Sequence, residues 1–231
     1  MRVLNSETTR EPPYQGSVEL RDTHGLTQLG LSSNRTWDGD PRRLLFKMSR
    51  YKFISKMLSG TNRVLEIGCG DAFPTRIVQQ EVAQLVAVDF DPVLIKDVNG
   101  RMGDAWPFEC KVHNIIAGPV DGPFDAAYSL DVIERISVED EHKFMLHAAQ
   151  SLTKHGVLLV GSPSLESQPY ASESSKAGHV NCKSQKELRD LMQEYFHNVF
   201  MFSMNDEVMH TGYAPMSHYL FAMGVGNKVA G

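Results

Sequence analysis

From Gly60 onward, short apolar runs of strand character alternate with segments of helical period, and this alternation constrains the fold more than any other feature. "RVLEIGC" (63–69), "QLVAVDFD" (84–91), "FECKVHNII" (108–116), "FDAAYSLD" (124–131) and "VLLVGSP" (157–163) read as five strands. Between and after them, "PTRIVQQEVA" (74–83), a stretch beginning near Pro92, "EDEHKFMLHAAQSLTKHG" (139–156) and "SQKELRDLMQEYF" (184–196) read as helices. Ser184 is the expected N-cap of the last one, with Glu187 closing a capping box. Such an order buries its apolar surface as a parallel sheet with helices on both faces. "NVFMFSMND" (198–206) and "SHYLFAMGV" (217–225) lie close enough to pair like a hairpin, which puts an antiparallel strand at the end of the sheet.

The first 36 residues carry Ser, Thr, Asn, Gly, Pro and charge without a sustained period, which predicts a loop-like arm. A helix then opens in "DGDPRRLLFKMSRYKFISKML" (38–58), with Asp40 as N-cap and Pro41 as first helical residue. Leu44, Leu45, Met48, Tyr51 and Leu58 form its core-facing stripe. Arg42, Arg43, Lys47, Arg50, Lys52 and Lys56 occupy the remaining surface, which is either a solvated face or an attractor for an anionic substrate.

With 231 residues, 42% of them hydrophobic, the chain can build one full core. A net charge of −5 and two tryptophans argue against a nucleic-acid partner. No apolar run reaches the length of a membrane span, and the N-terminus lacks a secretory h-region. Three widely spaced cysteines fit a reducing compartment, so the expectation is a cytoplasmic protein that does not engage a membrane. His179 and Cys182 have a spacing suited to metal ligands, but no second pair completes a tetrahedral site, so no metal is expected.

The turn after the first strand, Gly68–Cys69–Gly70, brings backbone close to a ligand. A dinucleotide fingerprint wants glycine at position 73, where Phe73 stands, and a P-loop wants Gly-Lys-Ser/Thr after the second glycine. Asp89 ends the second strand 21 positions after Gly68, which suits a carboxylate that accepts from both hydroxyls of a ribose. The ligand is then a nucleoside whose tail near the glycines is not a pyrophosphate. Glu66, inside an apolar strand, is costly unless hydrogen-bonded and so points to function.

The motifs "VLEIGCGDAFP", "AVDFDP", "HNIIAG" and "FDAAYSLDVIERI" together resemble the class I S-adenosylmethionine-dependent methyltransferases over residues 60–165, and more loosely through the final strands. The resemblance implies a Rossmann-like, doubly wound α/β sheet of seven strands with the last one antiparallel, and S-adenosyl-L-methionine as cofactor. It implies that Gly68, Cys69 and Gly70 line the methionine moiety, with Glu66 orienting that loop and holding the amino group. Asp89 would take the ribose and Phe90 the adenine face, with Asn114 and the Ile115 N–H at the adenine edge. In the segment near the sulfonium, Leu130 would line the cofactor, and Asp131 and Glu134 would meet the acceptor substrate. Many relatives carry His directly after that glutamate, where this chain has Arg135, so no base is borrowed from that position.

The domain reading is an arm and helical lid over 1–59 and the S-adenosylmethionine-binding domain over 60–231. The expected activity is methyl transfer to a small or medium polar acceptor, by O-methylation of a hydroxyl on a sugar or related polyol metabolite. The polar stretch "SPSLESQPYASESSKAGHVNC" (162–182), with Gln168 and Asn181, would meet it. Methylation of a small amine and a non-catalytic cofactor-binding scaffold are the alternatives. Proton removal falls to His179 or His210, both in loops on the ligand side, since a histidine suits neutral pH and an ordinary carboxylate is a weak base.

Overall fold

A computed structural model describes residues 7–230, so the first six residues of the expected arm lie outside it. Eight helices of more than one turn and eight strands follow in this order: α1 (Gln15–His24), α2 (Leu31–Gly39), α3 (Pro41–Met57), β1 (Arg63–Ile67), α4 (Thr75–Gln79), β2 (Gln84–Asp89), α5 (Pro92–Arg101), β3 (Glu109–Val112), β4 (Phe124–Leu130), α6 (Glu141–Gln150), β5 (Leu152–Pro163), α7 (Glu173–Gly178), α8 (Gln185–Tyr195), β6 (Phe196–Asn205), β7 (Val208–His210) and β8 (Tyr219–Asn227). The sheet order is β3-β2-β1-β4-β5-β8-β6-β7. Strands β1 to β5 run parallel, and β8 enters antiparallel between β5 and β6. The count is eight rather than seven, because the connection between β6 and β8 turns back as β7 and pairs with the end of β6.

Period-two alternation divides the core between the two faces of the sheet. Leu65 and Ile67 of β1 and Val86 and Val88 of β2 pack with Phe144, Met145, Leu188 and Met192 of α6 and α8. Val64, Leu85 and Ala87 point the other way, into Tyr51, Ile54, Val78, Ile95 and Val98 of α3, α4 and α5. A sheet covered on both faces needs strands apolar on both sides, which is how these strands read. No helix among the described residues is long and apolar enough to cross a membrane.

Local signals place the caps as expected. The Asp40 side chain accepts from the Arg42 N–H ahead of α3, and Ser184 with Glu187 closes a capping box on α8. Three expectations are corrected. The arm is helical over α1 and α2, and α2 is held by contacts distant in sequence: Asp71 accepts from the Ser33 N–H and hydroxyl at 2.6 and 3.1 Å. Helix α6 ends at Gln150 rather than Gly156, because the Ser151 hydroxyl returns to the His147 carbonyl and Leu152 already pairs with Phe124 of β4. On α3 the buried stripe is Leu44, Tyr51, Ile54 and Leu58, whereas Leu45 stays 54% exposed.

Helix α3 is fastened to the sheet through a buried carboxyl. The Tyr51 hydroxyl donates to Glu66 Oε1 at 2.7 Å, while Thr75 and Tyr128 donate to Oε2 at 2.6 and 2.9 Å. Burial pushes the Glu66 carboxyl above its usual range despite these donors. Removing one donor leaves a buried acceptor short, so Tyr51→Phe is expected to cost about 1–2 kcal/mol in urea unfolding with an unchanged m-value. An unchanged midpoint would mean that this knot does not hold α3.

Candidate functional site

The cavity opens where strand order reverses, beyond the carboxyl ends of β1, β2 and β4, with α2 and α3 as one wall. Its volume is about 1060 Å³.

Its floor is the turn after β1. Gly68 has φ +79° and a Cβ there would lie 2.3 Å from Val132 Cγ2, so no side chain fits. Gly70 has φ +58° and open space beside it. The Gly68 and Cys69 N–H groups both donate to the Val88 carbonyl, which anchors the turn on β2. Asp89 completes it: Oδ2 accepts from the Gly70 N–H at 2.8 Å and Oδ1 from the Asp91 N–H at 2.9 Å. Each oxygen keeps acceptor capacity, which is the arrangement that a vicinal diol requires.

Phe90, next in the chain, lines the cavity while 72% exposed, a large ring with nothing of the protein on its outer face. Beyond β3, the Asn114 amide oxygen accepts from the Ile116 N–H at 3.0 Å, so part of its capacity is already used. The Ile115 N–H has no acceptor among the described residues, and the Ile115 carbonyl is gripped by His147 Nδ1. His113 Nε2 similarly meets the Gly118 carbonyl at 2.9 Å, fixing this turn from below. A carboxylate with spare acceptor capacity, an exposed aromatic ring, a backbone N–H free of described partners and an unobstructed glycine turn fit S-adenosylmethionine.

Glu66 is the departure. Its carboxylate is 1% exposed, bonded to three hydroxyls and absent from the cavity wall. Through these bonds it joins α3, α4 and β4 behind the glycine turn. Cys69 is equally buried; its thiol lies beside that of Cys110, and this contact with burial raises its pKa far above the usual thiol range.

At the end of β4, Leu130 reaches the cavity and Asp131 takes φ +59°, a left-handed conformation costing on the order of 1 kcal/mol. The Asp131 N–H donates to the Gly161 carbonyl, and its carboxylate takes Arg50 Nη1 at 2.9 and 2.8 Å. The Arg50 guanidinium also lies 3.8 Å over the Tyr219 ring. Glu134 belongs to the short turn that follows; its backbone carbonyl accepts from the Val180 and Asn181 N–H groups. Neither of its carboxyl oxygens has a hydrogen-bond partner, and the side chain is wholly out of water. Burial, reinforced by Asp131, pushes its pKa up to about 8.

The two candidate histidines separate. His179, just after α7, lines the cavity. Its Nδ1 lies 2.8 Å from Gln168 Oε1, while Gln168 Nε2 donates to the Ser164 carbonyl at 2.9 Å. With the amide nitrogen spent on a carbonyl, the amide oxygen faces the ring. Nδ1 therefore carries the proton, and Nε2 is left as the acceptor. Burial, then the charges of Arg135 and Arg43, hold its pKa below the ordinary value. His210 sits on β7 at the sheet edge, takes the Gly212 N–H on Nδ1 and lies outside the cavity wall.

The wall contributed by α2 and α3 adds residues absent from the sequence-derived site, among them Arg35, Arg43, Lys47 and Arg50. A signal for three of them existed: 43, 47 and 50 stand at i, i+4 and i+7, one face of a helix. Lys47 also lies 3.9 Å from Asp71, whose carboxyl burial would raise; Lys47 and the Ser33 donors outweigh this and hold its pKa low.

Comparison with known proteins agrees with this geometry. A family profile described as "Methyltransferase domain" matches residues 40–196. Among curated proteins, a ubiquinone biosynthesis O-methyltransferase of Xanthomonas axonopodis pv. citri is 26% identical over 138 residues, 57% of this chain and 56% of that protein. A probable S-adenosylmethionine-dependent methyltransferase of Mycobacterium tuberculosis is 29% identical over 102 residues, 43% of this chain and 35% of its own length. The chain thus spans about half the length, or less, of these curated relatives. Among solved structures, the N-methyltransferase NodS of Bradyrhizobium japonicum, in complex with S-adenosyl-L-homocysteine, superposes with a TM-score of 0.63 at 16% identity. That superposition covers 84% of this chain and 92% of that one. A possible histamine N-methyltransferase of Thermotoga maritima gives 0.66 at 18% identity, covering 84% and 94%. At such identities the superpositions speak for the fold, whereas the profile spans more than half of the chain. The chain belongs to the methyltransferase domain family, the class I S-adenosylmethionine-dependent methyltransferases, whose cofactor is S-adenosylmethionine.

Proposed function

We propose that this chain transfers a methyl group from S-adenosylmethionine to a hydroxyl of a small or medium polar acceptor, with His179 taking the proton. The observation that carries this reading is the relay Ser164–Gln168–His179, which leaves Nε2 as the free acceptor of a cavity-lining imidazole. The cofactor supplies an electrophilic methyl carbon on a sulfonium. Gly68, Cys69 and Gly70 bed its methionine part, Asp89 accepts from the ribose hydroxyls, and Phe90 covers the adenine. Asn114 and the Ile115 N–H meet the adenine edge, and Leu130 packs beneath. Asp131, held by Arg50, borders the acceptor, and Glu134 shapes the turn under it.

Holding the acceptor oxygen in line with the sulfur supplies much of the rate, since orientation reaches effective molarities on the order of 10⁵–10⁸ M. Helices α2 and α3 serve as the lid that keeps water from the site. The Xanthomonas relatives, named as O-methyltransferases, support oxygen as the acceptor atom. The polyol expectation loses its two amides: Gln168 is bound to His179, and Asn181 donates to buried Glu141 at 2.7 Å. The proposal therefore specifies a hydroxyl and no sugar.

Release of S-adenosylhomocysteine against a panel of hydroxyl compounds tests this. His179→Ala should lose on the order of 10²–10³-fold in turnover and retain cofactor affinity, while His210→Ala behaves as wild type. Because the imidazole acts as a base with a lowered pKa, the acid limb of kcat/KM should fall below pH 6.5 and vanish in the variant. Normal turnover by His179→Ala sinks the assignment.

A further inference from the structure

Most charges in the cavity wall are answered by neighbours. Asp131 holds Arg50, Asp40 holds Arg42 from outside, and Asp91 caps α5. Lys47 faces Asp71. Three wall cations remain, Arg35, Arg43 and Arg135, and of these Arg43 and Arg135 bear on His179. The Arg43 guanidinium makes no side-chain hydrogen bond or salt bridge with any described residue; it feels only the charge of Asp40, whose oxygens Arg42 already engages. Arg135 is 56% exposed and gives its Nε only to the Asp131 carbonyl at 3.2 Å. Its other neighbour, Glu134 at 3.5 Å, keeps its proton at neutral pH. One Arg135 Nη lies so close to Gly178 that a Cβ there would sit 2.8 Å away, which presses the guanidinium against the residue before His179.

We propose that Arg43 and Arg135 form a two-guanidinium site for an anionic group on the acceptor, a carboxylate or a phosphate, at the His179 end of the cavity. The inference deepens the methyltransferase reading and rests on it only in taking the ligand to be the acceptor. S-adenosylmethionine carries one carboxylate, on the methionine part that the glycine turn beds, and its remaining charges are cationic, so it does not answer two guanidinium groups beside His179. Guanidinium forks match carboxylate and phosphate oxygens in pairs, and a partly enclosed site weakens the competition from water. The protein as a whole is acidic, at −5, so this local excess is not a reflection of overall composition.

The arrangement has a consequence for the base. His179 is faced by Gln168 on Nδ1, by Arg135 and Asp131 from the segment after β4, and by Arg43 from α3. Both arginines disfavour its protonation. An anion seated between them offsets that effect, so binding of the acceptor makes the imidazole more basic, and the acceptor strengthens the base that will deprotonate it.

The test follows the His179 ring by NMR in the full chain loaded with S-adenosylhomocysteine, the resonance being identified with His179→Gln. Ionic strength is held constant with sodium chloride, and the probes are sulfate, 4-hydroxybenzoate and the neutral 4-hydroxybenzamide. Sulfate or 4-hydroxybenzoate should raise the titration midpoint saturably, by on the order of half a pH unit, and the amide should not. The double variant Arg43→Gln/Arg135→Gln should show the raised midpoint without any probe and no further response. A midpoint that neither anion moves, that the amide moves equally, or that still responds in the double variant overturns the proposal. The two readings fail separately: a wild-type chain that does not bind S-adenosylhomocysteine in calorimetry contradicts the cofactor assignment, while the anion response is read equally in the cofactor-free protein.

Discussion

Asp89→Ala is expected to lower affinity for S-adenosylhomocysteine by on the order of 10²–10³-fold, the loss from removing two charge-assisted hydrogen bonds in a water-poor site. The same carboxylate holds the Gly70 and Asp91 N–H groups, so its removal also loosens the glycine turn. Calorimetry gives the affinity, and thermal unfolding of the free protein separates the contributions. A loss of binding with little change in melting assigns the effect to the ligand; equal affinity in the variant removes Asp89 from the ribose role.

Glu134→Gln is expected to stabilise the protein at alkaline pH. In the fold this carboxyl stays protonated until about pH 8, whereas in the unfolded chain it ionises near 4.5. Between those values the native state binds the extra proton, so stability declines as pH rises and the whole contribution is present only below about 4.5. Fully developed above pH 8, the cost reaches up to about 5 kcal/mol, less whatever the buried amide itself forfeits. Wild type and variant should melt together near pH 5 and diverge upward through pH 8, the variant gaining roughly 5 °C or more. Parallel melting curves across that range would show that Glu134 ionises normally. The Glu134 side chain is wholly covered, so the variant speaks to stability ahead of chemistry.

Short-range signals are legible in the sequence. A capping box spans four residues and a glycine turn three, so Ser184–Glu187 and Gly68–Gly70 need only their own segments to be seen. Asp89 was legible because a βαβ unit of ordinary length sets its distance from Gly68. The helical arm was not. Helix α1 buries no residue, and α2 depends on Asp71, 38 positions beyond Ser33. Composition there resembled a loop because the partner that stabilises the helix is elsewhere.

The sequence alone determined the strand–helix alternation, the two-faced apolar strands and the place of Asp89 at the end of β2, since each follows from periodicity or short-range geometry. Only the tertiary structure decided the partners of the buried and cavity-lining side chains. Tyr51 and Tyr128 come to Glu66 from 15 and 62 residues away and hold it off the cavity wall, and Arg50 crosses 81 positions to hold Asp131. His179 and His210 look alike in the chain; the ring that lines the cavity is the one that meets Gln168. Burial and the field of neighbours set proton affinity and hydrogen-bond capacity, and both are properties of the packed molecule, so no local reading of the chain contains them.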